Sequence, residues 1–556
     1  MFISIILNVE YMDYASRKMW YLKNLLHCKE NGWILITHDY IRKHFDELQD
    51  SITDRFFEQF EMRRFTLDEV KDVEQYFIPD EIFDSLESNL GTRTAMISSL
   101  CSSAYKPLDD ELDKIIKSIQ AKHPEEKIDG IFHCLEGYES IRKLANNTQC
   151  PLISYSFAAF RKPHGYRQTL YQSSLNGHYW DADSCRNRYK KFIAEECCDV
   201  PVLSNKEIIA LIGKERTLPL ISLMAKEPKF EMGICCECYS LVPKVFQDTS
   251  FVDDDIFYEC KTLYKPEQIK VRSHAAHLND IQVNREEVHN DPASTILSCR
   301  RSTAVQSQII LKVLLWGRTA VMRKKTLPFA FMCTKDYKDV MIADIKELNY
   351  FIFGFLIPSN LMFSDEYWRW RMTNPSENEI YKKHLTYICD ILSVDYNRLW
   401  ALPEAERFKY ILTTRGCDRQ LLIQLCEEGF PYEIDWNVPY SRFDVKTKNG
   451  KKSYWRLDKK NEDGSLTTCL EIDASDIESI DFFPLDDMAG FTKIENVFIN
   501  FQEQNMMTSQ EYQYMPKVSG HYVFKVPNDI VGCLIISCTW RHKNVFDYLN
   551  KKTNDQ

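Results

Sequence analysis

The sequence contains no apolar run long enough to cross a bilayer, which takes roughly 20 predominantly apolar residues. Met1–Val9 is apolar, but it is short and has no basic start, so it reads as a first strand rather than a signal peptide. The 19 cysteines are scattered, several in strand-like apolar runs (Cys134, Cys333, Cys533, Cys538). Without an export signal they are expected to be reduced thiols in a cytoplasmic protein. Positive charge is in deficit, with 70 Lys+Arg against 81 Asp+Glu and a net charge of −11. That excludes a general nucleic-acid binder, whose affinity rests on excess positive charge, but leaves room for a local basic cleft. The P-loop, a G-x-G-x-x-G after a strand, H-E-x-x-H and G-x-S-x-G are all missing. Asp181-Ala182-Asp183 matches D-x-D only as a short chance pattern, and Asp253-Asp254-Asp255 reads as a solvated turn. One C-x₂-C, Cys235–Cys238, stands without a partner pair, and Cys260, His274 and His277 lie at no recognised zinc spacing. No metal is expected, and these cysteines read as small buried hydrophobes.

What is present is ordinary in bulk: 44% apolar and 27% charged residues in a 556-residue chain, enough for three or four domains. The first part reads as α/β. Strands are expected at Ile3–Val9, Gly32–Thr37, Asp129–His133 and Pro151–Ser156, with helices at Trp20–Cys28 and Tyr138–Asn146. The acidic stretch from Asp39 to Asn89 reads as helical. Cys134-Leu135-Glu136-Gly137 sets an acid at a strand–turn–helix junction, where α/β enzymes expose functional groups. Phe157–Trp180 breaks the pattern and reads as a basic, aromatic loop. Arg161, His164, Arg167 and Tyr171 suit a sugar or an anionic acceptor, by stacking and bidentate hydrogen bonds. A surface connection is the plainer alternative.

Residues 181–225 read as helices around a short Val200–Leu203 strand, and Phe230–Ser240 as a strand ending in polar residues. Ile269–Val271 is the next strand and Ile296–Arg300 a short one after it. Gln306-Ser307 opens a helix over about Gln308–Leu315, which stops at Trp316-Gly317 before a buried strand at Thr319–Met322. Strands alternating with helices make a parallel sheet, whose strand C-termini and helix N-termini hold phosphorylated ligands. Tyr337–Phe355 reads as one long apolar helix. Asn374-Pro375-Ser376 starts another, with Glu377 and Glu379 in its first turn. Glu366, Arg369 and Arg371 are candidates to face a cleft, although Tyr367, Trp368 and Trp370 favour packing there. From Tyr432 onward the runs turn β-like, which predicts a C-terminal sandwich.

The basic strand ending at His274, the polar pair Gln306-Ser307 and the L-L-x-G-x-x-x-V run ending at Val321 resemble the nucleotide-binding half of GT-B glycosyltransferases. The nearest likeness is to the retaining β-Kdo transferases of bacterial capsule and lipopolysaccharide synthesis. Tyr166–Tyr171, Asp365–Tyr381 and Ile480–Gly490 resemble further segments of that group, the last a β-sandwich appendage. The resemblance implies two Rossmann-like halves, residues 1–180 on the acceptor side and 181–335 on the nucleotide-sugar side. A helical segment (336–430), a β-sandwich (431–546) and a polar tail (547–556) follow. It implies transfer of a sugar, Kdo or a related acid sugar from a CMP donor, to a bacterial oligosaccharide or lipid-linked glycan at the inner membrane face. No cofactor is implied beyond that donor.

His274, Arg272, Gln306, Ser307 and Gly317 would then hold the nucleotide, with Arg301 adding charge. Glu237 and Glu136 are the candidate catalytic carboxylates. The chain departs from the family in three places. Ala275 follows His274 where the family has Pro, Lys312 stands where an acid is usual, and Cys238 aligns with the proposed Asp nucleophile. These departures support the alternative of a degenerate, non-catalytic glycan-binding or scaffold subunit. A phosphosugar epimerase on a doubly wound fold is the third reading.

Overall fold

The computed structural model describes residues 1–7, 9, 14–43, 63–134, 137–160, 169–178, 180–195, 201–213, 224, 226–236, 253–272, 285–286, 292–323, 327–414, 440–447, 450–457, 459–461, 466–473, 477–483, 492–503, 506–508, 522–524 and 533–544. Its apolar runs become buried strands. β1 (Phe2–Ile6), β2 (Ile34–His38), β3 (Gln75–Ile78), β4 (Gly130–Cys134), β5 (Leu152–Phe157) and β6 (Leu170–Leu175) join β12 (Ile357–Pro358) in a seven-stranded sheet. The order is β12-β6-β5-β4-β1-β2-β3. The five strands from β5 to β3 run parallel, and β6 and β12 pair antiparallel at the edge.

Period-two alternation sends Phe2 and Ile6 to one face of β1 and Ile3 and Ile5 to the other. The first face is covered by α1 (Tyr14–Asn31), through Trp20, Leu22 and Leu25. The second is covered by α2 (Asp80–Leu90), α3 (Lys106–Lys122) and α4 (Glu139–Thr148), whose Leu108, Leu112, Ile115 and Ile119 recur at helical spacing. After β6 comes α5 (Ala182–Ala194), opened by the Asp181 carboxylate accepting from the Asp183 and Ser184 amides.

The second sheet is β7 (Phe230–Cys235), β8 (Ile269–Arg272), β9 (Arg285–Glu286), β10 (Cys299–Thr303) and β11 (Thr319–Val321). It is wholly parallel, in the order β11-β10-β7-β8-β9. α6 (Asp253–Leu263) links β7 to β8, and α7 (Ile309–Leu315) links β10 to β11. The chain then returns to the first sheet through β12, and α8 (Asp365–Met372) lays Tyr367 and Trp368 on the face already covered by α1. α9 (Glu377–Ile391) follows, capped by the Ser376 hydroxyl and the Glu379 carboxylate.

Both sheets belong to one compact unit, Met1–Lys162, Gln168–Asn205 and Glu227–Ile388. A second unit, Pro163–Arg167, Lys206–Lys226 and Cys389–Gln556, holds two antiparallel sheets. One is β13 (Tyr440–Thr447), β14 (Gly450–Leu457), β17 (Ile477–Phe483) and β20 (Tyr522–Phe524). The other is β15 (Lys459–Lys460), β16 (Leu466–Asp473), β18 (Thr492–Glu503), β19 (Met506–Thr508) and β21 (Cys533–Asn544).

Several expectations are corrected. Gln75–Ile78 is a strand inside the stretch read as helical. Residues 292–297 are helical, so the strand expected at Ile296–Arg300 starts at Cys299. Pro201–Leu203 joins no sheet. The long helix expected over Tyr337–Phe355 is only Ile345–Asn349 followed by a π-helical turn, Tyr350–Phe355. The aromatic loop contains β6, and Tyr171 within it is fully buried among Tyr155, Phe157 and Phe363, so it has no face to offer an acceptor.

Candidate functional site

Each parallel sheet has a place where the chain changes its direction of winding, and an open α/β sheet holds its ligand outside the strand C-termini there. In the first sheet this point falls between β1 and β4. In the second it falls between β7 and β10, because β8 and β9 add on one side of β7 while β10 and β11 add on the other. The two C-terminal edges meet. The Gln308 side chain, one residue ahead of α7, donates through Nε2 to the carbonyl of Phe157 at the end of β5, at 2.7 Å.

The second edge is built from β10. Ser302 and Thr303, its last residues, are fully buried, and among the described residues neither hydroxyl has a hydrogen-bond partner. Ser302 lies opposite Gly233 in the parallel register, and a Cβ at Gly233 would stand 3.0 Å from the Ser302 Oγ and 3.0 Å from the Cys299 Sγ. Glycine thus lets the two strands seat a hydroxyl between them. Buried hydroxyls without partners are costly, so two at a switch point are an observation that favours a polar ligand. Gln306 and Ser307 follow directly and Arg272 ends β8, so these three expected nucleotide-binding residues share one edge.

Two others do not join them. Gly317 adopts a left-handed φ of +69° at the C-terminal stop of α7, at the opposite end of the sheet from the strand C-termini. Arg301 is spent on structure: it donates to Glu231 at 2.9 Å and to the Asp339 and Lys338 carbonyls at 2.8 and 2.9 Å. Lys312 is buried within α7. Glu136, Arg161, His164, Arg167, Glu237, Cys238 and His274 lie outside the described residues.

At the first edge the structure shows Arg142, His178 and His38, which the sequence reading passed over, beside Trp180 at the end of the aromatic segment. Gly137 brings α4 so close that a Cβ there would stand 2.7 Å from His178 Nδ1 and 3.0 Å from Arg142 Nη2. Arg142 Nη2 donates to His178 Nδ1 at 2.6 Å, which fixes the neutral tautomer with its proton on Nε2. Burial, and next the Arg142 charge, pull the His178 pKa down to about 4. Trp180 stacks on the ring at 4.7 Å. At the end of β2, His38 Nδ1 lies 3.4 Å from Asp80, whose carboxylate also accepts from the Tyr40 amide at 2.8 Å. The apolar run Trp33–Thr37 leading into His38-Asp39 was the available signal. Chemically, this edge offers a fixed neutral imidazole, a guanidinium and an indole, and the second offers hydroxyls and main chain.

No family model matches the chain, and no curated protein matches it. Among solved structures it is similar to Thermosulfurimonas dismutans KpsC, beta Kdo 2,4 transferase, at 16% identity over 40% of this chain and 78% of that one, with a TM-score of 0.27. A second structure from that organism, KpsC, beta Kdo 2,7 transferase, matches at 13% identity over 46% and 83%, with a TM-score of 0.30. The UDP-GlcNAc 2-epimerase from Methanocaldococcus jannaschii matches at 10% identity over 70% and 100%, with a TM-score of 0.23. The chain thus resembles the transferase group that its central motifs resemble. At these scores the likeness carries nothing about what it binds or does.

Proposed function

We propose that this chain is a glycosyltransferase working between the two facing edges. The second sheet holds a nucleotide-activated sugar, with CMP-Kdo or a related acid sugar as the donor. The first positions a glycan acceptor, an oligosaccharide or lipid-linked chain of a bacterial surface polysaccharide. The observation that supports this most is the meeting of two parallel-sheet edges at Gln308 and Phe157, with unpartnered Ser302 and Thr303 hydroxyls at the switch point.

The chemistry has three needs. The departing nucleotide carries its charge on phosphate, and fixed donors already in place stabilise that charge without reorganisation. Ser302, Thr303, Gln306, Ser307 and Arg272 are the residues for it. The anomeric carbon or the acceptor hydroxyl needs a carboxylate, for which Glu136 and Glu237 stand as proposals. The acceptor must be held, and we assign this to Arg142, His178 and Trp180, with Arg161, His164 and Arg167 as proposed extensions. No described helix is long and apolar enough to cross a membrane. We place the protein in the cytoplasm, meeting lipid-linked acceptors at the membrane's inner face.

A non-catalytic glycan-binding role is the second reading, and the buried Lys312 favours it, because a cation stands where the related enzymes usually carry an acid. A thermal-shift panel of CMP, UMP, UDP, GDP and ADP tests donor binding. A ligand at about 100 times its dissociation constant stabilises the native state by roughly 2.7 kcal/mol. One nucleotide alone should raise Tm, and the double variant S302A/T303V should lose that shift. No shift with any nucleotide sinks the transferase reading. A shift without turnover on acceptor selects the binding role, and a nucleotide sugar altered in the absence of acceptor selects an epimerase.

A further inference from the structure

Where α5, the Tyr350–Phe355 turn and α9 meet lies a buried charge cluster that the transfer reaction does not use. Arg188 of α5 binds Glu377 of α9 with both carboxylate oxygens, Nε to Oε1 and Nη2 to Oε2, each at 2.8 Å. The Tyr350 hydroxyl donates to the same carboxylate at 2.9 Å. Glu377 is therefore fully engaged: burial pushes its pKa up, but Arg188, and next Arg371, outweigh that and leave it below the usual carboxylate range. Arg371, in the last turn of α8, stands close by with no such partner. It is partly exposed, yet its Nε and Nη1 are enclosed by protein and, among the described residues, make no hydrogen bond.

Among the described residues, the polar groups around it are committed elsewhere. His384 is held neutral, with Nδ1 donating to the Phe353 carbonyl at 2.9 Å and Nε2 accepting from the Tyr367 hydroxyl at 2.7 Å. Cys185 is a protonated thiol. Glu195 is occupied at the start of α9, where it accepts from the Glu377 and Asn378 amides at 3.1 and 3.0 Å. Two guanidinium groups thus face one carboxylate. The C-terminal end of α8 favours a cation there, but it gives the enclosed N–H groups no acceptor. A guanidinium whose Nε and Nη1 are enclosed beside another cation is costly unless an anion completes it, and its planar fork suits a bidentate oxyanion.

We propose that Arg371 anchors an oxyanion site, separate from the cleft between the sheet edges, which takes a phosphate or carboxylate group of a ligand entering from solvent. The test uses full-length protein, with inorganic phosphate and acetate as probes and chloride at equal ionic strength as the reference. At least one of the two anions should raise the wild-type Tm in a saturable way, and that shift should fall in R371M. In chloride, R371M should melt above wild type, because an uncompensated charge is gone. R188M should melt below it, because Glu377 then loses both of its guanidinium hydrogen bonds. R371K, which keeps charge without the fork, should retain a reduced shift. A response to phosphate alone assigns a phosphoryl ligand, and a response to acetate as well assigns oxyanions in general. The proposal is overturned if neither anion shifts wild type, if R371M shifts as much as wild type, or if R371M melts lower in chloride.

Discussion

His178 shows how one side chain can set a pH limit. Its pKa falls from 6.5 to about 4 because burial and the Arg142 guanidinium disfavour the imidazolium. The unfolded chain takes up this proton near pH 6.5 and the folded chain does not. The contribution is therefore complete above 6.5, declines as the pH drops towards 4, and levels off below that. His178→Gln keeps an acceptor for Arg142 and should flatten that part of the stability curve, read by urea unfolding at neutral pH and near pH 5. An unchanged slope would place the acid sensitivity elsewhere. The same scale explains why single residues were hard to read from sequence. Arg301 and Arg272 look alike on paper, but only contacts 38 and 37 residues away, at Asp339 and Lys338, show that Arg301 is committed to structure. Tyr171 sits among basic neighbours in sequence and among aromatic rings in space.

At the scale of elements, the β7–β10 pair carries the most specific prediction. Gly233→Ala would set a methyl 3.0 Å from the Ser302 Oγ and the Cys299 Sγ between two backbones fixed in register. Overpacking of this kind costs about 1–3 kcal/mol. Urea denaturation should show that loss, and the nucleotide-induced Tm shift should shrink with it as Ser302 is displaced. The strands themselves were legible wherever an apolar run was continuous, as in Phe2–Ile6 and Gly130–Cys134, because strands buried on both faces carry few polar residues. Gln75–Ile78 was missed because it is short, half-buried and embedded in charge. Tyr350–Phe355 is apolar throughout and so has no periodicity to tell one helical form from another.

For the molecule as a whole, the alternation of strands and helices announced two parallel sheets, and the turn-rich tail announced antiparallel ones. The meeting of the edges at Gln308 and Phe157 was not legible, since it depends on how the halves dock. Nor was the sharing of one sheet by distant segments. β12 closes the first sheet against β6, and Phe363, Tyr367 and Trp368 fill the core on one of its faces. A fragment ending after residue 195 lacks all of these. It should fail to give a cooperative melt, whereas a fragment ending at residue 414 should melt in one transition, as followed by circular dichroism. A cooperative short fragment would show that the first sheet stands without them.

The return of β12 also sets an order of events on the ribosome. Roughly 180 residues separate the end of β6 from β12. At about 5–20 residues per second, the nascent chain waits on the order of 10–35 s with that sheet edge unpaired and its aromatic face uncovered. For that interval the protein depends on chaperones, or on slow local pairing, to keep neighbouring nascent chains from adding the strand its own sequence has yet to deliver.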